Sequence, residues 1–309
     1  MCADAASRRG LLGCAVILGA LVAAGTAQAQ ACCAGVAAIA PGRLLLHERA
    51  LSGVEVRGSV LTGSHAADGT FRAPPAGTSE WDFEQDLFAS LAVTERAQAS
   101  VLAPFLESAR RSPTTGTEFG GGLGDVNASV RYDFTWSREY RYVPGVALLA
   151  GVTLPSGRAP ESAKQPLGSD ATGLGAVQAN LGVALERSFG DWFTNVALLV
   201  AKRFDRTAHG VRSGLATQLT GIAAGGYAWT QTSAALAVTL AAEGDASLDG
   251  ASVANSAKRE LRFTGSVTTS LSDTVRLRGG VFFDPPLNGV AQNEPDALGL
   301  SATFVKSFL

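Results

Sequence analysis

The 309-residue chain is poor in several residue types that carry chemistry: one methionine, three histidines, four cysteines and 17% charged residues. The methionine is the initiator, so no methionine-lined groove is available. Cys2 and Cys14 fall in the first thirty residues, and Cys32 and Cys33 are adjacent, a spacing poorly suited to bridging one another. No disulfide framework follows, although pairing between chains stays open, and no Cys/His spacing fits zinc. A net charge of −2 with a pI near 6 lacks the basic balance of a nucleic-acid binder. Charge is well below the ~25% of soluble domains. At 46% hydrophobic, the chain is nonetheless too apolar for disorder. Glycine is abundant, with 36 residues.

The order of residues accounts for this composition. Arg8 and Arg9 precede an uncharged run from Gly10 to Ala31 that closes on Ala27-Gln28-Ala29. Basic, then apolar, then small-x-small is the order of an export signal. The apolar part is short and ends rich in Gly, Ala and Gln, which argues against a membrane anchor. A lipid anchor is weaker still: almost nothing apolar precedes Leu11-Leu12-Gly13-Cys14, and Cys32 lacks an aliphatic residue three places back.

Beyond the signal the chain alternates. Val126, Ala128, Val130, Tyr132, Phe134 and Trp136 share one parity; Asp125, Asn127, Ser129, Arg131, Asp133 and Thr135 share the other. A helix would wrap those charges around an apolar stripe, whereas a strand separates them onto two faces. Period two returns over Val177 to Glu186, Leu261 to Leu271 and Val275 to Asp284. Ser213 to Ala242 carries no charge and is long enough for a membrane helix. Its glycines, Gln218 and the Thr230-Gln231-Thr232 break predict two strands and a tight turn instead. Over Val143 to Leu154 both parities are small or apolar, and periodicity does not decide.

Strands are expected near 51–62, 81–93, 97–108, 124–136, 142–154, 175–187, 192–204, 214–228, 233–243, 259–271, 274–284 and 297–308, twelve in all. Short connectors (Thr94-Glu95-Arg96, Ser137 to Arg141, Ser188 to Asp191, Trp229 to Thr232, Ser272-Asp273) alternate with long ones. The long ones are Gly63 to Glu80, Ala109 to Leu123, Pro155 to Leu174, Asp205 to Ser213, Gly244 to Lys258 and Pro285 to Asp296. Short periplasmic turns and long external loops mark an outer-membrane barrel. Aromatics agree. Trp136, Tyr140, Tyr142, Phe189, Trp192, Tyr227, Trp229 and Phe308 gather at one edge; Trp81, Phe119, Phe204, Phe282 and Phe283 gather at the other. The expectation is an all-β chain: signal peptide 1–29, an N-terminal periplasmic or plug segment 30–49, and an antiparallel transmembrane β-barrel of about twelve strands over 50–309.

In such a wall the polar parity faces the lumen. A one-residue slip of the 124–136 strand would turn Arg131 toward lipid, at ~2–4 kcal/mol near the midplane. The lumen-lining candidates are Asp125, Asn127, Arg131, Asp133, Gln178, Asn180, Glu186, Gln218, Glu243, Arg262, Arg276 and Arg278, joined by Glu55 and Arg57. Both signs are present, so ion pairs are expected. Twelve strands lie between the eight that leave room only for side chains and the sixteen that leave a wide channel. The interior is therefore a narrow path or a filled wall.

Catalysis finds little support. His47 precedes the first strand, His65 and His209 fall in external loops, and none sits on a strand face beside a Ser or Asp. Gly120-Gly121-Gly122-Leu123-Gly124 fails the dinucleotide pattern because position 125 is Asp, and no helix follows. No cofactor and no metal are implied. The partners expected are outer-membrane lipid, a small-molecule solute and the barrel-assembly machinery, with no nucleic acid and the oligomeric state open.

At Gly122-Leu123-Gly124-Asp125-Val126 and the strand through Arg131-Tyr132, the chain resembles the outer-membrane family named after the phenol meta-cleavage pathway. Leu154-Pro155-Ser156-Gly157, Gly173-Leu174-Gly175-Ala176 and Asp191-Trp192 are further points of similarity, and the resemblance covers residues 50–309. It implies a barrel for uptake of aromatic or other small apolar compounds. The final residue departs from the pattern, since Phe308 is followed by Leu309. Two functions are carried forward: a passive channel for small solutes, and a closed structural or receptor barrel whose external loops bind a partner. A secreted soluble β-protein is the third reading.

Overall fold

The computed structural model describes residues 43–137 and 139–309. The expected signal peptide, residues 30–42 and Cys32 and Cys33 lie outside the described residues. Twelve long strands follow: β1 (Ala50–His65), β2 (Ser79–Ala92), β3 (Ala97–Ser112), β4 (Val126–Thr135), β5 (Gly145–Leu154), β6 (Gln178–Phe189), β7 (Trp192–Arg203), β8 (Gln218–Trp229), β9 (Thr232–Glu243), β10 (Lys258–Ser272), β11 (Val275–Phe283) and β12 (Pro295–Phe308). Each pairs antiparallel with its successor, and β12 returns to β1 with Ala50 opposite Phe308 and Leu61 opposite Ala297. The result is a closed 12-strand barrel. Closure leaves no sheet edge, which is the condition for strands to sit in hydrocarbon.

Alternation places the side chains. Along β4, Asn127, Ser129, Arg131 and Asp133 are buried in the barrel, while Val130, Tyr132 and Phe134 are exposed on its outer surface. The uncharged stretch over 213–242 is the β8–β9 hairpin, turned at Thr230-Gln231 with Thr230 at φ 46°. In β5, where periodicity was silent, Ala147 and Leu149 face inward and Leu148 and Val152 outward. Trp192, Tyr227 and Trp229 pack together at the short-turn end. Phe282 does not belong to the outer aromatic set. It is buried inside the barrel with the Arg262 guanidinium 4.9 Å from its ring centre.

The expected loop from Ala109 to Leu123 is mostly strand. β3 runs on to Ser112, the chain turns at 113–115, and Gly116–Leu123 comes back along β3. The pairing then slips by one residue, from Leu123 opposite Phe105 to Asn127 opposite Leu102. That is a bulge beside Pro104, whose carbonyl accepts the Gly124 N–H. Gly121 lies in the bulged strand at φ 156°, and a Cβ there would sit 2.3 Å from the Leu106 carbonyl oxygen. The glycine run therefore serves the backbone. Two further loops, after β7 and after β9, pair into a four-stranded sheet of their own through Arg206–Ala208, Val211–Gly214, Ser247–Leu248 and Ala251–Ser252.

Candidate functional site

The candidate site is the barrel interior, and its two sides differ. Along β4 to β7 the interior is packed, and Ile222 of β8 and Ala237 and Glu243 of β9 are buried with it. Toward the short turns, Arg131 donates to Asp133 (2.8 Å) and Glu186 (2.8 Å), and Arg43 reaches in to pair with the same two carboxylates. Asn195 also donates to Glu186. Above this network Ala147, Leu149, Ala184, Ala197, Leu199 and Ile222 form an apolar cluster, with Leu149 only 1% exposed. Toward the long loops, Arg203 pairs with Glu243 and donates to Gln178 and Gln218, while Asn127 and Asn180 both donate to the Thr153 hydroxyl.

The side of β10 to β2 is open to solvent. Arg57 pairs with Asp86 (2.9 Å), Glu84 (3.4 Å) and Glu55 (3.8 Å), with Arg57 and Glu84 side chains 29% and 30% exposed. Arg262 grips Asp284 through two bonds of 2.8 and 2.9 Å and pairs with Glu260 at 3.3 Å. Thr264, Ser266 and Thr268 of β10 and Ser301 of β12 are half-buried between these charges. Arg278 faces inward opposite Thr303, and Arg276 pairs with Glu48.

Both ends of the lumen are narrowed. Residues 43–48 cross the short-turn mouth: the Leu44 N–H donates to Gln98 of β3, and Glu48 reaches Arg276 of β11. Beside that segment lies a cavity of about 70 Å³ lined by Arg43, Leu44, Gln98 and Asp133. At ~10–15 Å³ per water it holds a few waters and no larger solute. At the other end the loop after β5 lies across part of the mouth. Leu167 donates to Glu118 and accepts from Arg110, both on the β3 side, while Glu161 pairs with Arg206 in the loop after β7. Gly120 makes room for it, since a Cβ there would sit 2.5 Å from Ser169.

Asp170 holds this loop in shape. Its carboxylate accepts the Lys164 and Gln165 N–H groups and pairs with Arg158. Those bonds, led by the one from Lys164, hold its pKa down at about 2, below the ordinary 3.8. A depressed carboxylate stabilises the folded loop at every pH above about 4, and that contribution fades as pH falls toward 2. Trypsin cleavage after Lys164 in refolded protein is therefore expected to be slow at neutral pH and fast in Asp170→Asn. Equal rates would show that the carboxylate does not hold the loop.

Of the lumen candidates, Asn127, Arg131, Asp133, Asn180, Glu186 and Glu243 are buried within the barrel, and Gln178, Gln218, Arg262 and Arg276 bond to neighbours on its inner face. Asp125 sits at the long-loop end of β4, where its carboxylate accepts the Gly157 and Leu174 N–H groups and fastens the loop after β5. Glu84, Asp86, Arg203, Glu260 and Asp284 line the interior and escaped the sequence reading. Period two was available for the first pair, because Asp82, Glu84 and Asp86 alternate with Phe83, Gln85 and Leu87. His65 corrects another expectation. It ends β1 rather than lying in a loop, and it faces Asp296 at 3.1 Å and the Leu287 carbonyl at 3.2 Å. Both ring nitrogens are thus taken, and neither is left to activate a nucleophile. Among the described residues no three His, Cys, Asp or Glu side chains gather to hold a metal.

No protein-family model matches the chain, and no curated protein matches it. Among solved structures it is similar to an outer membrane channel from Pseudomonas putida F1, at 14% identity and TM-score 0.71, over 86% of this chain and 97% of that one. Two more distant likenesses are the transport unit of the autotransporter AIDA-I from Escherichia coli (7% identity, TM-score 0.49, covering 88% and 95%) and the NanC porin (13%, 0.48, covering 83% and 100%). The chain has the fold of outer-membrane barrel channels.

Proposed function

We propose that this chain is an outer-membrane channel through which small solutes pass passively, without chemistry, along the solvent-accessible side of the lumen. The observation that carries the reading is the asymmetry of the interior. The inward faces of β4 to β7 are packed, whereas Arg57, Glu84, Glu260 and Arg262 stand about 30% open on the other side. The short turns face the periplasm and the long loops the exterior, as in barrels of this kind. The resemblance to the phenol meta-pathway family points to aromatic or apolar solutes. The apolar cluster at Leu149 and Leu199 is the surface such solutes would meet, and it is covered by neighbouring side chains. The open side favours small polar ones.

Refolded full-length protein in planar bilayers is expected to give small, discrete conductance steps. Replacing 160–170 by a short Gly-Ser linker is expected to enlarge them by uncovering the outer mouth. A wild-type barrel that inserts and passes no current would overturn the reading. The crossings of both mouths favour the second reading, a closed barrel acting through its outer loops, and zero conductance in wild type and loop variant alike would select it.

A further inference from the structure

Charge is not evenly shared between the two sides of the lumen. On the packed side three guanidiniums, from Arg43, Arg131 and Arg203, meet three carboxylates, from Asp133, Glu186 and Glu243. On the open side Arg57 and Arg262 meet five: Glu55, Glu84, Asp86, Glu260 and Asp284. The two groups stand on the same side of the wall, Arg57 and its partners on β1 and β2 and Arg262 and its partners on β10 and at the end of β11, with β12 between them. Together their acceptors exceed their donors. Asp86 is 6% exposed, and its Oδ1 has no hydrogen-bond partner although it is buried beside Arg57. Arg278 faces the same side, in register with Thr303, whose hydroxyl donates to Glu55, so three guanidiniums stand against the five carboxylates, and Arg276 beyond it is held by Glu48.

We propose that this cluster makes the pathway selective for small cations, inorganic or protonated amines, with Glu84 as the residue that sets the preference. A surplus of carboxylates on a low-dielectric wall concentrates counter-ions at the narrow part of a pore. Glu84 is the member best placed to meet a passing ion. Its side chain is 30% exposed, and its one ion pair, to Arg57 at 3.4 Å, is slightly longer than the 3.3 Å that joins the equally exposed Glu260 to Arg262. Asp284, by contrast, spends both oxygens on Arg262. The proposal rests on the channel reading, and the two fail differently.

The test is the reversal potential of the full-length protein in a bilayer under a KCl gradient. The expected result is a shift toward the potassium equilibrium potential, largely lost in Glu84→Gln and kept in Glu243→Gln on the packed side. Replacing K⁺ by methylammonium is expected to preserve the shift. Current with no cation preference, or with chloride preferred, overturns the proposal alone; the wild-type measurement suffices for this even where a variant fails to fold. Absence of any current overturns the channel reading and the proposal with it.

Discussion

Arg131→Met is expected to lower the unfolding free energy of the barrel by about 3–5 kcal/mol, the range for removing one partner of a buried ion pair. Arg131 is 5% exposed and bonds both Asp133 and Glu186 at 2.8 Å. Without it, two buried carboxylates share the single Arg43 guanidinium. The loss comes from stranded charge, not from the ion pair's intrinsic strength. Arg131→Met combined with Glu186→Met leaves Arg43 with Asp133 alone and is expected to recover most of the stability, because apolar replacement of a whole buried pair is often neutral. Urea unfolding of protein refolded into vesicles measures both variants. A single variant within about 1 kcal/mol of wild type would mean that water reaches this network and that the β4 to β7 side is not packed.

Leu181→Arg is expected to cost about 2–4 kcal/mol in the same assay, and Val177→Arg about 0–1 kcal/mol, following the depth dependence of charge on a lipid-facing barrel wall. Leu181 is 56% exposed on the outer surface, flanked in register by Ala150 and Val200. It lies well inside β6, whereas Val177 precedes the first residue of that strand. The neighbouring residue points the other way: Asn180 is buried in the lumen on Thr153. Equal, small costs at both positions would mean that this surface does not face hydrocarbon.

How much of this was legible depended on the contrast between the two faces of a strand. Over β4 every second residue is polar or charged, so orientation could be read directly, and the twelve strands with their alternating connectors followed. β5 offers Ala147 and Leu149 inward against Leu148 and Val152 outward, and nothing in composition separates those sets. The apolar cluster inside the barrel was invisible for that reason. His65 was assigned to a loop because Gly63 and Ser64 look like turn residues. Pairing of β1 with β12, more than two hundred residues away, extends the strand through them. Phe282 and Phe283 are both aromatic at a strand end, and only register decides that one packs on Arg262 and the other faces outward.

The sequence alone determined the number of strands, their direction and the face that Arg131 must take, since burying a guanidinium in lipid is too costly for any other register. Its scarcity of charge and its glycine content follow from a wall with two surfaces, apolar outside and polar within, built from small residues. Tertiary structure alone decided which lumen charges meet. Arg57 finds Glu84 and Asp86 on the next strand, Arg262 finds Asp284, and the two groups come to one side of the lumen only because β12 closes on β1. The division into a packed side and an open, acidic side is a property of that closure, because ion pairing depends on distances across the barrel that no local pattern encodes.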